Sequence, residues 1–590
     1  MKQKLRTLDN RRSPKPIANA RPPRFQNHLT KRLLLIWVIA ILGGMGLAAN
    51  LYRLQILEGA KLSKKAQQQQ TTKLSPFVPR RPIADRNGNL LAIDRPVYTL
   101  YAHPNQFKKP PEVVAAKLAP ILLQSSESLL GKFRQKKSGI RLANGIKEET
   151  ADLITKLQTN GLELLPDYAR FYPQGELVAD IIGYVDGEHR GQAGIEYSQE
   201  NVLKRAIQSV QVNRSGNGAF MPDKIPEGFL HADDLQLQLT VDTRLQRAAR
   251  LALKKQMQES QACRGTVIVM DVRDGSLLAL VAEPTYDPNQ YSKFDISLFK
   301  NWALTDLYEP GSTFKPLNIA IALDSGAVKS DDTFNDSGQI QIGDRIIKNA
   351  EGGGQGTITI AQILQHSSNV GMVKIMRQVP PQVHYSWLEK MRLGSKTGID
   401  LPFEALGQTK NAQEFTHSLI ERATAAFGQG LAITPIHLAQ LLAAIANGGK
   451  LVTPHVVRGL FDSQGQMYWQ PPFSPSPPLF SAETTQKVLA MMEIVVNQGT
   501  GKTARIPGYR IGGKTGTSQK ASLRGGYSQA RIASFVGILP IESPRYLVLA
   551  VVDEPKGSVF GSTVAAPVVK SVMEALITIE RIPPSANKKS

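Results

Sequence analysis

From Leu33 to Ala49 the chain reads LLLIWVIAILGGMGLAA, seventeen positions without a charge, and Asn50-Leu51-Tyr52 extends the run before Arg53. As a helix that length just spans a bilayer core, so residues 33–52 are predicted to be a transmembrane helix. Gln67 to Gln70 with Thr71 and Thr72 form a polar stretch expected to act as a stalk. At Arg80 to Ala92, RRPIADRNGNLLA, the pair Asn87-Gly88 lies between apolar runs and predicts strand, turn, strand. From Val113 to Gly161 apolar residues return every three or four positions, in AAKLAPILL and ADLITKLQTNGLELL, which predicts mainly helix. Arg170 to Val185 returns to a mixed pattern with turn residues.

The pattern shifts near residue 230. Leu235 to Val241, LQLQLTV, alternates as a strand does, and Asp242 stands where it caps a helix containing LQRAARLALKKQM. The runs GTVIVM (265–270) and SLLALVA (276–282), with Asp274-Gly275 between them, predict a hairpin. YLVLAVV (546–552) predicts a late buried strand. Strands and helices mixed in one long block indicate an α/β or α+β domain. The organisation expected is therefore a tail over 1–32, the membrane helix over 33–52, a non-catalytic pedestal over 53–230, a main domain over 231–580 and a disordered tail over 581–590. The Pro-rich stretch Pro471 to Pro478 is read as a surface linker.

Composition narrows this picture. A chain of 590 residues is too long for one ordinary domain, and 42% hydrophobic with 20% charged residues excludes general disorder. Cys263 is the single cysteine, so no internal disulfide can form; it is expected to be a small buried apolar residue and not a nucleophile. The formal charge is +22, and residues 1–32 hold ten Lys or Arg against one acid, Asp9. A basic tail can serve as a nucleic-acid arm, but this one runs directly into the apolar segment. A cleaved signal peptide would have a shorter apolar run and a shorter basic region, which leaves an uncleaved anchor. The positive-inside rule puts the tail in the cytoplasm and residues from about 53 onward outside.

Gly508 to Thr515, GYRIGGKT, fits the phosphate-cradling pattern G-x-x-x-x-G-K-[ST]. That cradle needs a helix after the Lys-Thr, whereas the chain continues as GTSQKASLRGG, a poor helix. ATP is also scarce on the outer side. The run Gly499 to Thr503 imitates the same motif, but Val496 stands where its first glycine is required, and a loop is expected.

The main block also contains EPGSTFKP at Glu309 to Pro316, where Pro310-Gly311 makes a turn before the helical run LNIAIALDSG. Ser312 and Lys315 are three apart, which on a helix puts both on one face within reach of a shared proton. Pro316 fits only in a first turn, so the pair belongs at a helix N-terminus. A serine hydroxyl attacks only when a base takes its proton, and a lysine serves when burial or a second cation lowers its pKa. Alone, Ser-x-x-Lys more often means a capping serine and a solvated lysine.

Two further elements change those odds: Ser367-Ser368-Asn369, near the end of a helical stretch Ile358 to Gln365, and Lys514-Thr515-Gly516-Thr517. In this order the three resemble the set of the penicillin-interacting serine enzymes. Ser-Ser-Asn in place of Ser-Asp-Asn favours a penicillin-binding protein over a class A β-lactamase. With the basic tail, the anchor, the stretch Arg80 to Gly88, GQAGIE at 191–196 and YEPGSTFKP at 308–316, nearly the whole chain resembles a class B penicillin-binding protein. SSNVGMVKI (367–375) and KTGTSQK (514–520) are more similar to the division-type transpeptidase than to the elongation type.

The resemblance implies a β-lactamase-like domain, a central antiparallel sheet flanked by helices, which cross-links peptidoglycan through a serine acyl-enzyme. Ser312 would be the nucleophile and Lys315 its base. Ser367 would relay a proton to the leaving amine, and Asn369 would hold the substrate amide. Lys514, with Thr515, Gly516 and Thr517, would bind the terminal carboxylate, and Lys514 would help keep Lys315 neutral. The backbone N–H groups of Ser312 and Thr517 would form the oxyanion hole. No metal or organic cofactor is implied. The implied partners are stem peptides, β-lactams, the membrane, a polytopic glycosyltransferase and division proteins, and no nucleic acid. Alternatives on the same fold are an elongation-type transpeptidase and a β-lactam-sensing receptor or scaffold. His366 invites a Ser-His-Asp reading, but as the sequence neighbour of Ser367 it is expected to point elsewhere. Phe427 to Gly430, FGQG, resembles a segment flanking the site and equally fits a glycine turn before a core helix.

Overall fold

The computed structural model describes residues 26–74, 78–205, 210–213, 233–350, 352–473, 477–521 and 526–585. The chain divides into two compact bodies, Met1–Pro76 with Ile207–His231, and Phe77–Ala206 with Ala232–Ser590.

In the first body a helix Gln26–Tyr52 runs into a π-helical turn Arg53–Leu57, followed by a polar helix Gly59–Gln70. Thr71–Leu74 pairs antiparallel with Val210–Asn213. The apolar helix is longer than its sequence run suggests. Thr30–Leu57 covers 28 residues, and none of the apolar stretch is covered by protein. A long helix with bare Leu, Ile and Trp side chains is consistent with a single-pass membrane anchor. The basic tail up to residue 25 lies outside the described residues.

In the second body, the long strand Leu90–Ala102 pairs antiparallel with Ile83–Ala84, Ile140–Ile146 and Leu162–Phe171. Helices Pro111–Leu122, Ser126–Gln135 and Glu148–Lys156 close a small core around Leu100, Leu118, Leu129, Phe133 and Ile146. The helix expected over 113–161 is thus interrupted by a strand. Gly139 (φ +69°) bends the chain into it, and Gly145 (φ +65°) sits at an irregularity in its pairing just before its last residue. The LELL expected to end the last helix opens a strand instead, because Gly161 turns there at φ +81°.

The short strand Ile83–Ala84 also pairs in parallel with Gln236–Leu239, so one seven-stranded sheet passes from the pedestal into the main block. The Asn87-Gly88 turn is fixed by Asp85, whose carboxylate accepts from the N–H groups of Asn87 and Asn89. It also accepts from the Thr243 hydroxyl at 2.8 Å, at the start of helix Thr243–Ser260. Beside this turn, Arg80 and Arg170 grip opposite oxygens of Glu196 at 2.9 and 2.6 Å, and Arg170 reaches Asp94 at 3.1 Å. The two stretches Arg80 to Gly88 and Gly191 to Glu196 thus meet in one buried lock with alternating charges.

The main domain is built on a five-stranded antiparallel sheet. Its spatial order is Gly512–Ala521, Tyr527–Leu539, Tyr546–Asp553, Arg264–Asp271, Leu277–Glu283. The apolar runs are continuous because both faces are covered. Val267, Val269, Val548 and Ala550 face a core with helices Thr243–Ser260 and Gly561–Glu580. Ile268, Met270, Leu547 and Leu549 face a second core with helices Lys315–Asp324, Pro435–Ala446 and Ala482–Gln498.

Two expectations fail locally. Cys263 is exposed and not buried: it follows the left-handed turn at Gln261, one residue ahead of the sheet, and its thiol meets Glu554. The segment 582–585, inside the expected disordered tail, is tied back. The Tyr509 hydroxyl donates to Ile582 O, and the N–H of Ser585 donates to Gly508 O at 2.8 Å. Residues 586–590 lie outside the described residues, as do 474–476 of the Pro-rich stretch.

Candidate active site

Ser312 lies in a 3-10 turn, Gly311–Phe314, that runs directly into helix Lys315–Asp324, with Pro316 in its first turn as the sequence predicts. Gly311 adopts φ +56° and donates its N–H to Gly428 O at 3.0 Å. Gly428, at φ +78°, has no room for a side chain: a Cβ there would lie 2.2 Å from Gly311 O. The FGQG segment therefore buttresses the Ser312 turn, and Phe427 and Gln429 line the adjoining cleft. Every residue from Lys315 to Ala322 is buried. The helix that begins the site is a core element, and its position follows from packing on all sides.

Ser367 stands where two short helices meet. Helix Ile360–Gln365 begins one residue after a capping box at Thr359 and Gln362, two residues later than the sequence reading placed it. Its end is closed by Ser367 N–H to Leu364 O at 3.2 Å and Ser368 N–H to Ile363 O at 3.0 Å. This is the hydrogen-bond pattern of a Schellman motif, in which the left-handed residue is usually glycine. Here that residue is Ser367, at φ +56°. A side chain held in a disfavoured backbone region is a mark of a functional position. Ser368 then caps helix Asn369–Met376 by accepting from Gly371 N–H at 2.8 Å.

Asn349 holds this junction from outside. Its side-chain oxygen accepts from Asn369 N–H at 2.9 Å and Val370 N–H at 3.2 Å, while its NH2 reaches both oxygens of buried Asp336 at 2.9 Å.

Lys514 enters from the sheet edge strand Gly512–Ala521. Gly516 in that strand has Ser534 Oγ where a Cβ would go, at 2.3 Å, and Thr313 on the other side at 2.9 Å. Only glycine lets the strand approach the Ser312 turn this closely. Thr515 hydrogen-bonds Thr500 at 2.9 Å, and the Thr517 hydroxyl accepts from Gly561 N–H at 3.1 Å.

The two amines converge on one hydroxyl. Lys315 Nζ lies 3.2 Å and Lys514 Nζ 2.9 Å from Ser367 Oγ. Lys315 also donates to Ser367 O at 2.6 Å and Asn369 Oδ1 at 2.8 Å. No hydrogen bond joins Ser312 to Lys315 among the described residues; in this state the amine is turned toward the Ser-x-Asn junction. Burial drives the Lys315 pKa well below the usual lysine value, and the nearby Lys514 lowers it further. Burial also brings Lys514 down to about 7. A neutral amine can take a proton and an adjacent ammonium can bind an anion, which are the two tasks such a pair can divide.

Ser312, Ser367, Asn369, Thr515 and Thr517 line one cleft of about 760 Å3. Arg345, Asn349, Thr500, Tyr527 and Arg531 line it too, and no short motif marked them in the sequence. His366 caps its helix and lines the cleft, without a carboxylate partner among the described residues.

The pattern described as penicillin binding protein transpeptidase domain matches residues 265–574, and that of the penicillin-binding protein dimerisation domain matches residues 77–221. A peptidoglycan D,D-transpeptidase FtsI homolog from Mesostigma viride is 44% identical over 577 residues, covering 94% of this chain and 96% of its own. Another from Chlorokybus atmophyticus is 39% identical over 659 residues, covering 94% and 97%. The solved structure of a peptidoglycan synthetase from Bifidobacterium adolescentis, 24% identical, has the same fold over 88% of this chain, with a TM-score of 0.69. The chain belongs to the penicillin-binding protein transpeptidase family, with a dimerisation domain ahead of the catalytic one.

Proposed function

We propose that this chain is a division-type peptidoglycan D,D-transpeptidase that cross-links stem peptides through an acyl-enzyme on Ser312. The observation that carries the reading is the convergence of two buried lysines on Ser367 Oγ beside Ser312, with no acid among the hydrogen-bond partners of either.

In this mechanism Lys315, neutral in the resting site, swings from the Ser-x-Asn junction and takes the Ser312 proton. The oxygen attacks the carbonyl between the two terminal D-alanines. Lys514 with Thr515 and Thr517 holds the terminal carboxylate, and Asn369 holds a substrate amide. The N–H groups of Ser312 and Thr517 receive the developing oxyanion, a contact worth roughly 3–4 kcal/mol per donor. The C–N bond then breaks. The leaving amine collects its proton through Ser367, whose hydroxyl can donate to it while being resupplied by an adjacent amine. D-alanine departs, and the amine of a neighbouring stem attacks the ester, releases Ser312 and completes the cross-link.

The apolar helix anchors the chain, with its basic N-terminus in the cytoplasm and the catalytic domain outside. The pedestal serves protein partners, among them a polytopic glycosyltransferase and division proteins. The test is labelling of the detergent-solubilised protein by a fluorescent penicillin. Wild type should label at Ser312 and Ser312→Ala should not; a folded wild type that never acylates rejects the reading. A tagged copy at the septum supports the division role, and one along the side wall supports the elongation alternative.

A further inference from the structure

Among the described residues that line the cleft, Arg345, Lys348 and Arg531 stand with one carboxylate, Asp336, which is already occupied by Asn349 and the N–H of Gly338. Arg345 and Lys348 stand in solvent. Arg531 differs: its Nη1 is enclosed by protein and meets no acceptor among the described residues. Other enclosed guanidinium groups of this chain, those of Arg80, Arg170 and Arg250, each pair with carboxylates. In sequence, residues 521–525 read ASLRG and include no acid. A charged donor buried without an acceptor is unfavourable, and in the wall of a substrate cleft it points to an acceptor on the ligand.

The position of Arg531 along the sheet suggests which acceptor. Thr515, Thr517 and Gln519 are the cleft-facing residues of the Gly512–Ala521 strand, at alternate positions and so about 7 Å apart. Arg531 is the cross-strand partner of Gln519. The Ser312 turn packs on the middle of that row: a Cβ on Gly311 would lie 3.2 Å from Ser518 Cβ, and one on Gly516 would lie 2.9 Å from Thr313. Lys514 and Thr515 are then on one side of the nucleophile, and Arg531 is on the other.

A donor peptide with its terminal carboxylate at Lys514 and Thr515 and its attacked carbonyl at Ser312 must send its acyl side past Gln519. An extended chain advances about 3.5 Å per residue, so the residue before the two D-alanines arrives level with Arg531. We infer that Arg531 recognises a carboxylate on the side chain of that residue. The stem peptide then carries a diamino dicarboxylic acid there, and not a diamino monocarboxylic acid such as lysine. The planar guanidinium is suited to a two-point grip on a carboxylate. The inference rests on the transpeptidase reading and adds the chemistry of the donor stem.

The test uses the detergent-solubilised full chain and two synthetic D-alanyl thioester donors. They differ only in the residue before D-alanine, either 2,6-diaminoheptanedioic acid or lysine, each with its side-chain amine acetylated. Thiol release gives kcat/KM. Wild type should favour the dicarboxylic donor by about tenfold or more, the scale of a charge-assisted hydrogen bond. Arg531→Gln should bring the ratio near one by losing the dicarboxylic donor selectively, and Arg531→Lys should retain part of the preference. A wild type without preference, or an Arg531→Gln variant that keeps it, overturns the inference. So does an equal loss of both donors, which would make Arg531 a prop for the strand pair. Benzylpenicillin lacks the residue in question, so its acylation of wild-type Ser312 tests the parent reading separately. Labelling without donor discrimination rejects only the role of Arg531, whereas no labelling rejects the transpeptidase reading.

Discussion

The pedestal lock and the catalytic centre are both buried clusters of charged side chains, and they are assembled on opposite rules. In the lock, Arg80 and Arg170 alternate with Glu196 and Asp94, so each desolvated charge has an opposite partner. In the candidate active site, Lys315 and Lys514 share a serine hydroxyl and no acid among the described residues touches either amine. Compensated charges fix geometry. Uncompensated ones shift their pKa values into a range where protons can move. Exact pairing marks the structural cluster, and its absence marks the reactive one.

The sharpest way to break this comparison is to remove one member from each. Lys315→Met should lower the rate of penicillin acylation by roughly 10^2 to 10^4, the range for a lost general base, without lowering the melting temperature, since a buried amine is exchanged for an apolar chain of similar length. A fall in melting temperature comparable to that of a lock variant would contradict the assignment. Glu196→Ala should act in reverse. It strands Arg80 and Arg170, with an expected loss of about 3–5 kcal/mol in denaturant unfolding, while protein that remains folded still acylates.

The pH dependence separates the clusters further. Lys514 titrates near 7 in the free enzyme, so kcat/KM for acylation should fall as pH rises through about 7, where the cation that binds the carboxylate is lost. The stability contribution of the same group has the opposite sign. Its folded pKa lies below its unfolded value, so between about 7 and the ordinary lysine range the unfolded chain holds the extra proton and stability rises with pH. Lys514→Met should remove both trends, and an unchanged pH–rate profile in that variant would assign the titration elsewhere. The smallest effect is expected at Ser367. Ser367→Gly relieves a left-handed residue and should raise stability by about 1 kcal/mol while slowing acylation; a loss of stability would mean that the Ser367 hydroxyl contributes more to the fold than its backbone strain removes.

The Ser312–Lys315 spacing at a helix start and the Lys-Thr-Gly strand are legible in the sequence because they are short local patterns, and the turn and strand signals around Gly311 and Gly516 agree with them. Asn349 was not legible. Its role depends on a loop meeting the start of a helix twenty residues later, and no local pattern encodes that meeting. The strand Ile140–Ile146 was missed because its apolar positions also satisfy a helical period, and the decision was taken by glycines at its edges. The sequence places Ser367 near a helix end but does not reveal its left-handed backbone, which follows from how Ile363 and Leu364 are reused as acceptors. Cys263 was misjudged because residue type says little about a position one step ahead of a sheet.

The order of strands in the main sheet has a consequence for how the protein is made. Arg264–Asp271 and Leu277–Glu283 are neighbours in the chain, but the next strand in space is Tyr546–Asp553, and the edge that carries Lys514 follows through Tyr527–Leu539. During synthesis Ser312 therefore emerges more than two hundred residues before the strands that complete its surroundings. Contacts of such long range form slowly, and the cluster of Lys315, Ser367 and Lys514 is among the last parts to assemble. A nascent or truncated chain can hold Ser312 and Lys315 in sequence, but it has no sheet edge to bring Lys514 up to them and to Ser367.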